Sequence, residues 1–274
     1  MTARLGVLAG AGPLPGRIVE AARARGRDVF VLALTGITDA APIAVVPHAW
    51  VRLGAVGDSL RRLAEEGVGE VVLAGAVPRP SFGQLGLDAR GLRMLASLAN
   101  PGLGDDRVLA RIVAELEAEG FRVVGIEDVL DDVLATLGPV GRVIPGRDEV
   151  ADIALGVRVA RALGSLDVGQ AVVVQRGRVL GVEAAEGTDD LVRRCAALRG
   201  VEPGGVLVKV AKPGQERRVD LPAIGPATVA VVSEAELAGI AVEADRALIL
   251  DRAAVRAAAD ARGLFVVGVR AEPP

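Results

Sequence analysis

The chain carries 32 basic residues, and only Lys209 and Lys212 are lysine. Arginine replaces lysine readily on a solvated surface, but not where a compact ammonium on a thin stem is required. The surviving pair therefore marks a place for an anion. The two stand in KVAKPGQERRVDLP (209–222), and a spacing of three puts them on opposite faces of a strand. Pro213 and Gly214 turn the chain there and can bend Lys212 back. In the same run Asp220 has Arg217 and Arg218 beside it, cations that favour its ionised form, and Pro222 fixes the chain leaving it. A second run, Glu183, Glu186, Gly187, Thr188, Asp189 and Asp190, ends one strand and opens a helix. Several oxygens thus fall beside helix N–H groups that have no partner within the helix. Positive charge in one loop and hard oxygens in the other suit a diphosphate and a hard cation such as Mg²⁺.

Other chemistries are poorly supplied. Residues 10–16, GAGPLPG, follow the first strand and open a helix, as a dinucleotide loop would. The spacing G-x-G-x-x-G wants glycine where Pro15 stands, and no acidic residue ends the second strand to hold a ribose. A glycine turn serving packing or another ligand is the better reading of Gly10 and Gly12. There is no G-x-x-x-x-G-K-[ST], so P-loop chemistry is excluded. His48 is alone, Ser81 lacks the G-x-S-x-G elbow, and Cys195 falls in the apolar pattern of a helix.

The elements that must carry these residues follow from the pattern of 274 residues, 51% apolar and 24% charged. That length predicts two domains of ordinary size. Continuous apolar strands at 4–9, 28–34, 70–77 and 121–126, a weaker one near 50–53 and amphipathic helices between them predict a parallel, Rossmann-like sheet. LGPVGRVIPGR (137–147) has no periodicity and is rich in Gly and Pro, which sets the boundary between domains 1–137 and 138–274. Beyond it a helix over 148–163, a hairpin over 171–184, a helix over 187–198 capped by Thr188 or Asp189, and strands at 204–211, 227–232, 246–250 and 264–269 predict a mixed α/β domain. The whole is an α/β protein of two domains.

A net charge of −3 gives no basic field for nucleic acid. Mean hydropathy is +0.42, yet the longest run without Asp, Glu, Lys or Arg, 221–233, is interrupted by Pro222 and Pro226. A bilayer span needs about 20 apolar residues, so no transmembrane helix is expected. The opening MTARLGVLAG lacks the regions of a signal peptide, and one cysteine makes no internal disulfide, so a cytoplasmic protein is expected.

GRVLGVEAAEGTDDLVRR (177–194) and KVAKPGQERRVDLPAIGPATV (209–229) closely resemble the UDP-2,3-diacylglucosamine diphosphatase family of the LpxI type, with its patterns "VLAVEA-EGTD-ML" and "K-KP-QE-RVDLP-IG--T". LGVLAGAGPLP (5–15), AGAVPRPSF (74–82), GDDRVLARI (104–112) and DVGQAVVVQRG (167–177) are similar to its other motifs, in order along nearly the whole chain. The glycine loop reads GAG where a third glycine or Asn is common, and AVPRP replaces a more usual polar tripeptide.

The resemblance implies Mg²⁺-dependent hydrolysis of UDP-2,3-diacylglucosamine to UMP and 2,3-diacylglucosamine 1-phosphate in cytoplasmic lipid A synthesis, with the lipid product enclosed between two domains. It implies Asp220, Lys212 and Gln215 as catalytic residues, with Asp220 also the candidate for the metal. Substrate contacts are expected from Gly10, Gly12, Arg79, Gln170, Glu186, Gly187, Thr188, Asp189, Lys209 and Thr228. The implied partner is a lipid-linked UDP-sugar, with peripheral contact with the inner membrane and a homo-oligomer left open. Two alternatives stand beside it: a non-catalytic nucleotide- or lipid-binding protein on the same scaffold, and a diphosphatase for another NDP-sugar.

Overall fold

The computed structural model describes residues 3–77, 85–97, 105–200 and 203–271. The chain forms two compact units, Met1–Asp131 with Glu216–Asp220, and Asp132–Gln215 with Leu221–Pro274. Against the expected division at 137/138, the first passage between units falls at 131/132, and the chain later gives five residues back to the first unit.

The first unit holds five parallel strands, β1 Arg4–Ala9, β2 Val29–Leu34, β3 His48–Val51, β4 Val68–Ala74 and β5 Arg122–Val123, in the order β3-β2-β1-β4-β5. Helices α1 Leu14–Ala24, α2 Val56–Glu65, α3 Ala89–Ser97 and α4 Asp105–Ala118 connect them. The order reverses at β1, where a doubly wound fold opens its ligand crevice. Leu5, Val7, Leu32 and Val71 are fully buried, as expected of strands covered on both faces.

The second unit is built on a mixed sheet. Its elements are β6 Gly138–Pro139, α5 Arg147–Ser165, β7 Ala171–Gln175, β8 Arg178–Val182, α6 Thr188–Ala196, β9 Val206–Lys209, β10 Ala223–Ile224, α7 Pro226–Glu234, β11 Gly239–Glu243, β12 Leu248–Ile249, α8 Arg252–Arg262 and β13 Phe265–Val269. The strand order is β6-β13-β11-β9-β7-β8, with β13, β11 and β9 parallel and the other pairings antiparallel. The two faces follow the period of two along each strand. Val172 and Val174 pack with Ile153 and Val157 of α5, while Ala171 and Val173 join the cluster of Leu191, Val229 and Val255 from α6, α7 and α8. The β7–β8 hairpin turns through Arg176 and Gly177, both at positive φ (50° and 74°), and the Asp152 carboxylate accepts their N–H groups at 2.7 and 2.6 Å.

Two expectations are corrected. Residues 227–232 were expected as a strand and form α7 instead. Gly225 and Pro226 start a helix there, and packing against α6 and α8 leaves it apolar nearly all round, so its Val-rich run has no helical stripe to read. Helix α6 is preceded by Gly187, at φ 82°, rather than capped by a Thr188 or Asp189 side chain.

Candidate active site

An open pocket of about 480 Å³ lies in the second unit. Residues 186–190 at the start of α6, Lys209 at the end of β9, Ala223 and Thr228 in the first turn of α7 line it. Two helix N-termini and one lysine therefore share one opening, the arrangement that holds a phosphate. Lys209 is 8% exposed and its Nζ donates to the Ala223 carbonyl at 3.1 Å, so the ammonium is held at the pocket by the strand it ends and by the backbone at β10.

The pocket's carboxylates are not equivalent. Glu186 bonds Arg194 at 2.7 Å, and that guanidinium holds its carboxyl below the usual carboxylate range. Asp190 pairs with Arg193 at 2.7 Å. The Thr188 hydroxyl donates to Glu183 Oε1 at 2.5 Å, and Glu183 Oε2 accepts the Gln170 N–H at 3.0 Å. Thr228 accepts the N–H of Gly225, the residue before α7, at 3.3 Å.

A second group adjoins Gln170 in the same unit. The Gln215 amide donates to Gln170 Oε1 at 3.4 Å and its own oxygen accepts the Lys212 N–H at 3.0 Å. The ammonium of Lys212 is bonded to Asp167 at 2.7 Å. The two lysines thus part company: Lys209 lines the pocket and Lys212 does not. The structure gathers Glu186, Gly187, Thr188, Asp189, Lys209 and Thr228 around the pocket, and Gln170, Lys212 and Gln215 in the adjoining group.

Asp220, half-buried, belongs to the first unit, where its N–H bonds the Glu216 carbonyl at 3.1 Å. Arg218, expected beside Asp220, is engaged by other carboxylates. That guanidinium bonds Glu216 at 2.8 Å and Glu117 at 2.6 Å, which push its pKa up and hold Glu216 down. Arg79 and Ser81 lie outside the described residues.

At the glycine loop, Gly10 N–H bonds the Ala74 carbonyl at 2.8 Å, while Ala11 and Ala76 exchange backbone bonds at 2.7 and 3.1 Å. A Cβ on Gly10 would stand 2.6 Å from the Ala76 oxygen, so the glycine serves the close approach of two loops. His48 bonds the Val46 carbonyl at 2.9 Å and packs edge-on to Trp50; Cys195 is buried, which pushes its thiol up.

The profile described as the LpxI N-terminal domain matches residues 4–133, and that of the LpxI C-terminal domain matches residues 136–267. The chain belongs to the LpxI family. A curated LpxI protein of Caulobacter vibrioides, named UDP-2,3-diacylglucosamine pyrophosphatase, is 45% identical over 97% of both chains. Among solved structures, CobK precorrin-6A reductase aligns over 100% of this chain and 89% of its own at 16% identity and a TM-score of 0.34. UDP-glucose 4-epimerase of Thermus thermophilus aligns over 97% and 86% at 16% and 0.34. Scores of that size carry no argument about fold or ligand.

For the Mg²⁺ that the LpxI resemblance implies, the donors fit one mode only. Among the described residues no three His, Cys, Asp or Glu side chains gather into a metal cluster. A dedicated cage is therefore not what they offer. One or two carboxylates completed by substrate phosphates is the ordinary mode for Mg²⁺, and Asp189 and Asp190, at the pocket, can supply it. Sequence reading had Glu183 within its acidic run but not as the buried partner of Thr188, and it missed Asp167, which no local pattern ties to Lys212.

Proposed function

We propose that this chain hydrolyses the diphosphate of UDP-2,3-diacylglucosamine to UMP and 2,3-diacylglucosamine 1-phosphate, a cytoplasmic step of lipid A synthesis. The observation that carries the reading is the pocket in which Lys209 meets the starts of α6 and α7, on a chain aligned end to end with a pyrophosphatase. The ammonium of Lys209 and the first N–H groups of the two helices hold a phosphate and meet the charge that grows on it. Asp220, matching the aspartate of the "RVDLP" pattern, either orients the attacking water as base or provides a carboxylate to the metal. Asp189 or Asp190 would hold Mg²⁺ at the pocket, where it would neutralise phosphate charge. Lys212 and Gln215 fix the turn that leads to the Asp220 segment, through Asp167 and Gln170.

Among the described residues no helix is long and apolar enough to cross a membrane. Peripheral contact with the inner membrane is the route that a lipid-linked substrate would take in this reading. The test is a thin-layer assay comparing UDP-2,3-diacylglucosamine with UDP-GlcNAc. Release of UMP from the acylated substrate alone supports the reading. Equal turnover of both points to a general NDP-sugar diphosphatase, and binding without turnover to a non-catalytic protein.

A further inference from the structure

Thr188 has one hydroxyl proton, and the oxygen that faces it is the acceptor Oε1 of the Glu183 carboxylate. Glu183 follows directly on β8 and is only 7% exposed. Its N–H bonds the Ala171 carbonyl at 2.8 Å, which fixes its backbone to the start of β7. Gly169 leaves room for it, since a Cβ there would stand 2.1 Å from the Glu183 carbonyl oxygen. The carboxylate so placed has two fixed duties. Oε2 accepts the Gln170 N–H at 3.0 Å, a backbone donor whose polarity cannot reverse, and Oε1 accepts the Thr188 hydroxyl at 2.5 Å. A hydroxyl that donates its single proton offers only lone pairs elsewhere. Thr188 lines the pocket, so it meets a ligand there as an acceptor.

We propose that Glu183 is a positioning residue that sets the hydrogen-bond polarity of the pocket. By taking the proton of Thr188, it makes that side chain receive a bond from a ligand hydroxyl, amide or water and give none to a phosphate. The inference rests on the reading of this pocket as a diphosphate site. The phosphate is then bound by Lys209 and backbone N–H groups, while Thr188 orients a proton-bearing group beside it. A phosphate-binding hydroxyl would have been left free to donate, as Glu183 prevents.

Glu183→Gln reverses the arrangement at nearly constant shape. The Gln170 N–H obliges the new amide to turn its oxygen toward it, so its NH₂ faces Thr188 and the hydroxyl proton turns into the pocket. Inorganic pyrophosphate affinity is measured by calorimetry for the wild type, E183Q, T188V and the double variant, with turnover of UDP-2,3-diacylglucosamine and the thermal midpoint recorded in parallel. E183Q is expected to bind pyrophosphate about fivefold more tightly, through the added donor to an anion. The gain disappears in the double variant. Turnover in E183Q is expected to fall about tenfold, with T188V adding little to that loss.

A gain that persists with valine at 188 reflects only the lost negative charge and overturns the inference. So do weaker pyrophosphate binding in step with a lower thermal midpoint, the mark of a merely structural role, and pyrophosphate binding to none of the proteins. If E183Q does not fold, T188V decides: pyrophosphate affinity within about twofold of wild type supports the acceptor role, and a tenfold loss contradicts it. Wild-type protein that binds pyrophosphate but leaves the nucleotide substrate intact breaks the functional reading and leaves the polarity test standing.

Discussion

Both units contain a strand that runs through a glycine-bearing loop into a helix, and the two junctions do different work. Between β1 and α1 the first two backbone donors are taken, Gly10 by Ala74 and Ala11 by Ala76, while Pro13 and Pro15 have no N–H to offer. Between β8 and α6, Gly187 delivers the chain to Thr188, Asp189 and Asp190 with no proline and no side-chain cap, and Lys209 stands at the same pocket. Glycine spacing signals a close or left-handed backbone passage. It does not say whether that passage serves a ligand or another loop. The destination of the N–H groups decides, and here it favours the second unit.

The largest effect is expected at the segment that joins the first unit from outside. Asp220→Asn keeps shape but removes charge, so turnover of UDP-2,3-diacylglucosamine should drop at least ~10²-fold while substrate still binds. Unchanged turnover with a slightly lower melting temperature would return Asp220 to a plain loop residue. Next comes the closed glycine loop. Gly10→Ala forces a Cβ against the Ala76 carbonyl, and a loss of about 2 kcal/mol in urea unfolding is expected, without a matching specific loss of phosphate affinity. A variant as stable as wild type would mean that the loops part easily and that the junction is open to a ligand after all.

Much of the first sheet was readable because doubly covered strands are continuous apolar runs, as in 28–34 and 70–77. Rarity singled out Lys209 and Lys212 alike, and of the two only Lys209 lines the pocket. Helix α7 was not, since a helix packed on most sides presents no apolar stripe and its valines imitate a strand. The partner of Lys212, Asp167, lies 45 residues away, and Arg218 reaches 101 residues to Glu117. Such long-range pairs leave no trace in local spacing, which is why Lys212 was grouped with the pocket and Arg218 with Asp220.

Smaller effects sharpen the contrast between helix starts. Unlike α6, helix α3 is closed by a side chain, with Asp88 accepting the N–H groups of Arg90 at 3.0 Å and Gly91 at 2.7 Å, as well as that of Asp58 at 3.1 Å. Burial works against its charge, but these backbone donors outweigh it and lower the carboxyl below the ordinary value of 3.8. A carboxyl lowered in the folded state contributes stability that is fully present above that ordinary value and is lost as pH falls through the folded one. Asp88→Ala should therefore cost about 1 kcal/mol at neutral pH, and the difference from wild type should shrink below about pH 4 in thermal melts. A difference that stays constant with pH would assign the loss to packing. The smallest effect is expected for Pro15→Gly, which completes the spacing G-x-G-x-x-G. No NADH binding should appear by fluorescence titration, because the preceding amides remain bonded to the β4 loop.

Lys209 is the cation on which binding of a diphosphate at the pocket most directly depends. Its replacement by alanine removes the ammonium that lines the pocket and leaves Lys212 with Asp167. Steady-state kinetics on UDP-2,3-diacylglucosamine should show kcat/KM for Lys209→Ala reduced by ~10²-fold or more, with the melting temperature close to that of wild type. A value within about threefold of wild type would contradict the placement of the diphosphate at the starts of α6 and α7.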